Sequence, residues 1–346
     1  MIETIVAVAN MLAVGGLIVE LDNFRFFPRL RAVANSQDAV VDVCIAMRNE
    51  AQAAVPCCRA LLSQEVVRMV LVVDDGSSDG TYELLCALML QEPRLVVMKS
   101  TGSGKRAALA QAAMKTHAPM LFFTDADIVT HTGAIDALLL YADACNVEAV
   151  SVWPKISNHS LWDALLCPTI TLFLLQALPM RAAVGTDPRF SAANGQALLV
   201  RRDAYNAAGG HAALQTIVED VELAIRLKRT GYRVALACGA ALFSSEGYGS
   251  FTRAFNGLGR SLYFGLGPVG VMAFGFWQCL AYFTPWVAVC FGYRAGWFGV
   301  AVSLTARAAL AVRMRHSFLW LLLTPLSGAL AAIMAFSAAR TGLSGK

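Results

Sequence analysis

The chain has 346 residues and a net charge of +4, and 57% of its residues are hydrophobic while 15% are charged. Soluble domains average roughly 45–50% apolar and about 25% charged residues, so this composition excludes an ordinary soluble domain. No stripe of base-stacking aromatic residues accompanies the mild positive charge, so we expect no nucleic acid among the partners. The nine cysteines show no C-x-x-C spacing, which predicts buried thiols in a reducing compartment.

The apolar surplus is concentrated in uncharged segments towards the two ends of the chain. Thr4–Val19 is slightly short for a membrane span and is bracketed by Glu3 and Glu20. Ser261–Tyr293 and Ser317–Ala339 are also free of charge. Because a helix needs about 20 apolar residues to cross a bilayer, the last two segments are long enough to span.

A further uncharged segment, Ala295–Ala306, is marginal because Arg307 interrupts it, and we expect Arg307 near a helix end. Basic residues follow the first apolar segment at Arg25, Arg29 and Arg31. The positive-inside bias therefore predicts a multi-pass protein of the cell inner membrane, with the domain that follows in the cytoplasm.

Short apolar runs alternate with helical stretches in the middle of the chain. Predicted strands are Val40–Ala46, Met69–Val73, Leu95–Met98 and Met120–Thr124, and the helices between them end near Gln64, Leu90 and His117. This alternation predicts an α/β fold with a doubly wound, mostly parallel, Rossmann-like sheet. We expect an N-terminal membrane anchor at 1–22, the α/β domain at 38–250, and an amphipathic segment with transmembrane helices at 251–346.

One apolar stretch falls inside the predicted α/β domain. Leu161–Met180 contains Asp163, Pro168 and Pro179, which favour a core helix or a helix on the membrane face over a span.

Acidic clusters follow two of the predicted strands, at the edge where doubly wound sheets bind their ligands. Asp125 and Asp127 come directly after the strand that ends at Thr124. Next-but-one side chains of an extended chain point the same way, so these two carboxylates can hold a divalent cation together with phosphate oxygens. Asp75 lies at a helix start, where it can accept hydrogen bonds from a ribose or a base, whereas Asp79 is better explained as a helix cap.

Three further positions carry candidate chemistry. Lys105 follows a Gly-Ser-Gly turn but lacks the other residues of a phosphate loop, so a pyrophosphate contact and a solvated charge are equally consistent with it. Asn194 and Gly195 lie among small residues before a strand, which suggests close approach of the backbone to a ligand. Glu219 and Asp220 begin a helix, where acids suit the helix dipole, although one of them could instead deprotonate a hydroxyl group.

Taken in order, the motifs D-D-G-S-S-D-G-T, G-K, D-A-D and E-D followed by R-x-x-x-x-G resemble those of family 2 glycosyltransferases with the GT-A fold. The resemblance covers roughly Val40–Gly249 and implies transfer of a sugar from a UDP- or GDP-sugar, with inversion and with Mg²⁺ or Mn²⁺ as cofactor. It implies that Asp220 is the catalytic base with Glu219 beside it, and that Asp125 and Asp127 hold the metal. The predicted nucleotide-sugar contacts are Ala46, Asn49, Glu50, Asp75, Lys105, Asp125, Asn194 and Gly195.

The acceptor is indicated by a second resemblance. The Q-x-x-R-W signature of processive members is absent, and Tyr248–Arg260 resembles the segment before the membrane helices of glycosyltransferases that act on carotenoid or hopanoid-type lipids. We therefore expect addition of a single sugar to a lipid-like acceptor. Alternatives are a membrane-bound polysaccharide or polyprenyl-phosphate glycosyltransferase, a nucleotidyl transferase, and a non-enzymatic transport or scaffold protein. The last is disfavoured because the uncharged segments contain no ionisable residue.

Overall fold

The computed structural model describes residues 2–33, 39–157 and 160–343, which form two compact units. We call Phe27–Lys155 with Arg181–Ser245 the sheet unit. The helical unit consists of Met1–Phe26, Ile156–Met180 and Glu246–Lys346. The predicted boundaries at residues 1, 38 and 346 lie outside the described residues.

The described residues contain strands β1 (Val41–Met47), β2 (Val67–Asp74), β3 (Leu95–Lys99), β4 (Met120–Thr124), β5 (Ile128–Thr130), β6 (Ala149–Trp153), β7 (Lys155–Ile156), β8 (Ala197–Arg201), β9 (Val234–Cys238) and β10 (Phe243–Ser245). Seven of them form the main sheet, in the order β3-β2-β1-β4-β8-β6-β9, and the other three form a small sheet in the order β5-β10-β7. All neighbours in the main sheet are parallel except β8, which runs antiparallel to both β4 and β6. The predicted α/β fold with a mostly parallel sheet is thereby confirmed.

Helices cover both faces of this sheet and make up most of the helical unit. The α-helices are α1 (Ile2–Asn23), α2 (Ala54–Leu62), α3 (Thr81–Met89), α4 (Lys105–Met114), α5 (Ala134–Cys145), α6 (Leu161–Ala177), α7 (Met180–Ala183), α8 (Arg202–Ala207), α9 (Glu219–Arg229), α10 (Phe251–Trp277), α11 (Thr284–Cys290), α12 (Ala295–Met314) and α13 (Thr324–Leu343). Short 3₁₀ turns occupy Pro188–Phe190, His211–Ala213 and Phe318–Leu323, and Gln278–Phe283 is a π-helix.

The central strands are buried on both sides. Ile45 and Phe122 face one hydrophobic core, whereas their neighbours Cys44 and Phe123 face the other. This is why β1 is apolar without alternation from Val43 to Met47, and β4 from Met120 to Phe123. Fully burying each large side chain contributes about 1.5–3 kcal/mol, so the ends of these strands are rigid supports for whatever follows them.

Asp42 is a fully buried carboxylate in β1. Arg68 Nε donates to its Oδ1 at 2.9 Å, and the backbone N–H groups of His117 and Ala118 donate to its Oδ2 at 2.8 and 2.9 Å. Burial alone would raise the pKa of Asp42, but these hydrogen bonds and the charge of Arg68 hold it below its usual value. The ionised form is therefore the one that stabilises the fold.

We expect Asp42→Asn to lower the free energy of unfolding by about 2–3 kcal/mol, because a charge-assisted hydrogen bond is lost in a buried place. Since the folded-state pKa is lowered, this stabilisation is complete at neutral pH and is lost as the pH falls below the unfolded value and through the folded-state pKa. Thermal unfolding of the purified protein from pH 7 to about pH 2 measures both effects. The exposed Asp143→Asn in α5 is the matched control, and an equal loss in the two variants would contradict the assignment.

Among the residues of the helical unit that the structure describes, four segments are long and apolar enough to cross a membrane: Ile2–Asn23, Phe251–Cys290, Ala295–Met314 and Phe318–Gly342. They correspond to the four uncharged segments of the sequence, so the prediction of membrane helices is confirmed. The second of them is not one straight helix. Gly267 breaks α10 with φ +69°, and the next residue, Pro268, has no N–H group to donate to the preceding turn.

The expectation that Arg307 lies near a helix end is wrong. Helix α12 continues through Arg307 to Met314, and the guanidinium is buried, with Nη2 donating to Ser327 Oγ at 3.3 Å. Glu20 is likewise buried inside α1 and accepts a hydrogen bond from Gln176. The two ionisable groups are tolerated because each faces neighbouring helices and not lipid.

Helix α6 belongs to the helical unit and, with 17 residues, is shorter than the four candidate spans. Its Asp163 is fully buried and accepts hydrogen bonds from the backbone N–H groups of Tyr248 and Gly249. This carboxylate therefore holds the turn that leads into α10.

Candidate active site

The carboxyl end of β4 and the first residues of α4 and α9 bring three predicted residues into contact. Lys105, the first residue of α4, places its Nζ 2.7 Å from Asp125 Oδ1 and 3.0 Å from Glu219 Oε1. Burial alone would lower the pKa of Lys105, but the two carboxylates raise it well above its usual range. The ammonium is therefore a permanent positive charge between the D-A-D motif and the E-D motif.

Asp220 differs from its neighbour Glu219 in its surroundings. Its Oδ2 accepts the Gly195 N–H at 2.7 Å and its Oδ1 accepts the Val221 N–H at 2.8 Å. Desolvation, together with the charge of Glu219, nevertheless raises the pKa of Asp220 to about 6. A carboxylate with this pKa is ionised at neutral pH and is a stronger base than an ordinary aspartate.

Asp127 and Glu50 form the acidic part of the site. Ser245 Oγ donates to Asp127 Oδ2 at 2.7 Å, yet desolvation and the charge of Asp125 raise the pKa of Asp127. Burial also raises the pKa of Glu50, and the charges of Asp127 and Asp125 raise it further. The cluster is therefore short of positive charge.

Chemistry and charge at this cluster suit a divalent cation. The acidic side chains that could bind a cation here all offer carboxylate oxygens, the ligands that Mg²⁺ and Mn²⁺ prefer. Within the described part of the chain, no three His, Cys, Asp or Glu side chains are placed to form a complete metal cage. A cation held by Asp125 and Asp127 would therefore take its remaining oxygens from a ligand and from water.

The loop after β1 is fastened to the loop after β2. Asn49 has φ +57°, donates its backbone N–H to Ser77 Oγ at 2.9 Å, and accepts the Ser78 N–H at 2.8 Å. The backbone N–H of Glu50 donates to Thr81 Oγ1 at 2.9 Å. Asn49 thus joins the two loops by hydrogen bonds. Its contact with a nucleotide-sugar stays a prediction.

Two acids of the D-D-G-S-S-D-G-T motif hold backbone groups. Asp79 accepts the Thr81 N–H at 3.1 Å, although the residue at the N-cap position of α3 is Gly80. Asp75 accepts the Gly104 N–H at 3.0 Å, which ties the end of β2 to the turn in front of Lys105. Asp75 therefore positions the G-K turn as well as being a predicted nucleoside contact.

Asn194 and Gly195 lie in the loop just before β8, whose first residue pairs with the end of β4. A Cβ atom on Gly195 would lie 3.3 Å from the Cβ of Asp220, so a larger residue would crowd the carboxylate. The Asn194 side chain bonds within its own loop, where Oδ1 accepts the Gln196 N–H at 3.0 Å. Ala46 is partly exposed near the end of β1. The loop thus shapes the surroundings of Asp220, and a ligand contact by Asn194 or Ala46 stays a prediction.

His211 was not singled out by sequence reasoning but borders the same small cavity as Lys105, Glu219 and Asp220. Tyr205 Oη accepts the His211 N–H and lies 2.9 Å from Nδ1, and the imidazole packs against the ring of Phe123. Burial lowers the pKa of His211 to about 4, so it is neutral. The adjacent Gly-Gly pair, with both φ values positive, is the sequence signal that could have marked this turn.

Glu222 was also missed, although it stands beside the E-D motif. Its Oε2 accepts the backbone N–H groups of Gln215 and Thr216 at 2.7 and 2.8 Å, and Arg226 Nε donates to Oε1 at 3.1 Å. Burial opposes ionisation, but these hydrogen bonds lower the pKa of Glu222 to about 2. The i, i+4 spacing of Glu222 and Arg226 was its visible signal. Glu222 holds the loop before α9 in place.

Comparison with known proteins shows which family this chain is similar to. Residues 42–184 match the family model for Glycosyl transferase family 2. The chain is also 25% identical over 279 residues to the succinoglycan biosynthesis protein ExoA of Rhizobium meliloti (strain 1021), an alignment that covers 71% of this chain and 82% of the relative.

Among solved structures, the chain resembles the mannosyltransferase PcManGT from Pyrobaculum calidifontis, which was determined in complex with GDP-Man and Mn²⁺. The two superpose with a TM-score of 0.62 at 17% identity, and the match covers 100% of both chains. At this identity the likeness establishes the fold, which is GT-A. The finer resemblance to carotenoid or hopanoid glycosyltransferases stays a prediction.

Proposed function

We propose that this chain, which is a glycosyltransferase with a family 2 domain and a GT-A fold, moves one sugar from a nucleotide-sugar to a hydroxyl group of a membrane lipid. The observation that carries the proposal is the surroundings of Asp220. Its carboxylate has a pKa raised to about 6 and lies beside Glu219, whose Oε1 is 3.0 Å from Lys105 Nζ. A base and a cationic group that can contact phosphate therefore share one site.

In the proposed reaction, Asp220 takes the proton from the acceptor hydroxyl as its oxygen bonds to the anomeric carbon of the sugar. The bond from that carbon to the diphosphate breaks, and its electron pair leaves with the nucleoside diphosphate. A single base and no covalent nucleophile are needed, so the configuration at the anomeric carbon inverts.

The donor would be held by its diphosphate. Lys105 would bind phosphate oxygens, and Asp125 and Asp127 would hold Mg²⁺ or Mn²⁺. When bound, such a cation supplies charge stabilisation for the departing diphosphate. The complex of PcManGT with GDP-Man and Mn²⁺ supports a nucleotide-sugar and a divalent metal for this chain, whose fold it shares.

A lipid acceptor is supported by the four candidate membrane spans, because a chain held in the bilayer meets an acceptor that is confined there too. Addition of a single sugar is supported by the absence of Q-x-x-R-W from the sequence. The basic residues after α1 support an inner-membrane location with the sheet unit in the cytoplasm.

We expect the transfer rate to fall as the pH drops through about 6, because protonated Asp220 cannot accept the hydroxyl proton. Desolvation also raises the pKa of Asp127, and a bound cation would keep that carboxylate ionised. Rates measured between pH 5 and 8 at saturating Mn²⁺ therefore report on Asp220. A rate independent of pH in this range would count against Asp220 as the base.

The direct test is transfer by the purified full chain in detergent or nanodiscs. UDP- and GDP-sugars would be offered with a bacterial lipid extract, with Mn²⁺ present or chelated, and glycolipids would be detected by mass spectrometry. Formation of one metal-dependent glycolipid supports the proposal. Release of pyrophosphate from sugar phosphate and nucleoside triphosphate would instead indicate nucleotidyl transfer.

A second candidate acceptor is a lipid-linked saccharide. It is favoured by the similarity to a protein whose name places it in succinoglycan biosynthesis. The same assay with isolated lipid-linked oligosaccharides as acceptors distinguishes the two classes.

A further inference from the structure

Lys105 pairs with a carboxylate that the divalent cation would also have to bind. Its ammonium group contacts Asp125, the carboxylate proposed to hold the divalent cation, at 2.7 Å. It also contacts Glu219, next to the proposed base, at 3.0 Å. A cation that binds Asp125 must therefore approach an oxygen that already pairs with a positive charge.

We propose that Lys105 competes with the divalent cation for Asp125, so that the enzyme takes up the cation together with the diphosphate of the donor and not before it. This inference rests on the proposed function, because it assumes that Asp125 and Asp127 hold a cation on a nucleotide-sugar.

The charges of the site lead to this order. A single and a double positive charge on the same carboxylate repel each other strongly, because the interaction scales with the product of the charges and the site is partly desolvated. Without the donor, the carboxylates already have Lys105 as a partner. A diphosphate adds negative charges that can pair with both Lys105 and the cation, which removes the conflict.

The structure also allows Lys105 to move. Its side chain is 38% exposed, and it begins α4 directly after Gly104, which has φ +88°. Asp75 holds the backbone N–H of Gly104, so the turn stays in place while the long side chain changes direction. Glu219 remains as a second partner when Asp125 is given up, so Lys105 need not leave the site.

The test measures Mn²⁺ binding in the absence of turnover. Full-length protein in detergent is titrated with Mn²⁺, and the free Mn²⁺ is quantified from its electron paramagnetic resonance signal. Lys105→Met removes the charge and keeps the length of the side chain. Lys115→Met is the matched control, since it removes the same charge from the exposed end of the same helix. Each protein is titrated alone and with UDP or GDP.

Without nucleotide, Lys105→Met should bind Mn²⁺ about tenfold more tightly than the wild type, within the usual range of coupling between sites. The control should match the wild type. Because the diphosphate removes a repulsion that exists only when Lys105 is present, the nucleotide should strengthen Mn²⁺ binding more in the wild type than in Lys105→Met.

Equal Mn²⁺ affinity of Lys105→Met and the wild type without nucleotide would overturn the inference. If the wild type still binds Mn²⁺ with UDP or GDP, the proposed metal site stands and only the competition fails. If none of the proteins binds Mn²⁺ with either nucleotide, both fail. Lys105→Gln provides the same comparison if the methionine variant does not fold.

Discussion

Asp220→Asn is expected to lower the rate of sugar transfer by about 10²–10⁴-fold, the usual contribution of a general base. The amide has nearly the same shape as the carboxylate but cannot take a proton from the acceptor. The loss should appear in kcat, because the proton moves in the transition state. Single-turnover transfer with radiolabelled donor measures it directly.

Donor binding should largely survive this change, since the diphosphate contacts are assigned to other residues. The amide has one acceptor oxygen, so it keeps only one of the two hydrogen bonds that Asp220 accepts from the N–H groups of Gly195 and Val221. Calorimetric titration with UDP or GDP and Mn²⁺ tests this. Asp203→Asn is a matched control, because Asp203 is an exposed acid in the first turn of another helix, α8. A variant at Asp220 that keeps wild-type kcat would remove the base from the proposed mechanism.

Asp127→Asn should lower transfer by about two orders of magnitude or more, because metal coordination supplies several kcal/mol of charge stabilisation to phosphate chemistry. An amide oxygen can still accept the hydrogen bond from Ser245, so the fold around β10 should persist. What is lost is the negative charge. Transfer rates across a range of Mn²⁺ concentrations should show both a lower maximum and a weaker metal dependence.

The metal dependence of nucleotide binding distinguishes the Asp127 variant from the Asp220 variant. Nucleotide affinity in Asp127→Asn should become insensitive to chelation of the metal, whereas that of Asp220→Asn should remain sensitive. Asp143→Asn, an exposed change in α5, should behave as wild type in both assays. Metal-dependent nucleotide binding that is unchanged in Asp127→Asn would place the cation elsewhere.

Strands β1 to β4 and the helices between them are predictable from the sequence because each strand is a short apolar run that ends at polar residues. The same reasoning finds β8 after the small-residue loop, and α9 from its acids at the start and Gly231 at the end. It does not show that β8 runs antiparallel between β4 and β6, since strand direction depends on pairing with distant parts of the chain.

Arg307 shows where sequence patterns mislead. A charge in an apolar segment normally marks the end of a span, yet α12 continues past it because Ser327 on α13 offers a hydrogen-bond partner inside the helical unit. Ser245 was missed for a related reason. It lies at the end of β10, whose pairing with β5 cannot be derived from its own three residues.

By itself, the sequence determined an α/β domain, apolar segments long enough to span a membrane, and acidic motifs at the ends of the strands, because local spacing decides which residues leave a strand or begin a helix. The order of those motifs also carried the resemblance to family 2 glycosyltransferases. Only the tertiary structure decided that Lys105 bridges Asp125 and Glu219, that Asp220 loses enough water to become a base, and that His211 lines their cavity. These properties depend on distances and solvent exclusion between segments that are far apart in the chain, and such quantities exist only once the sheet and its helices have packed.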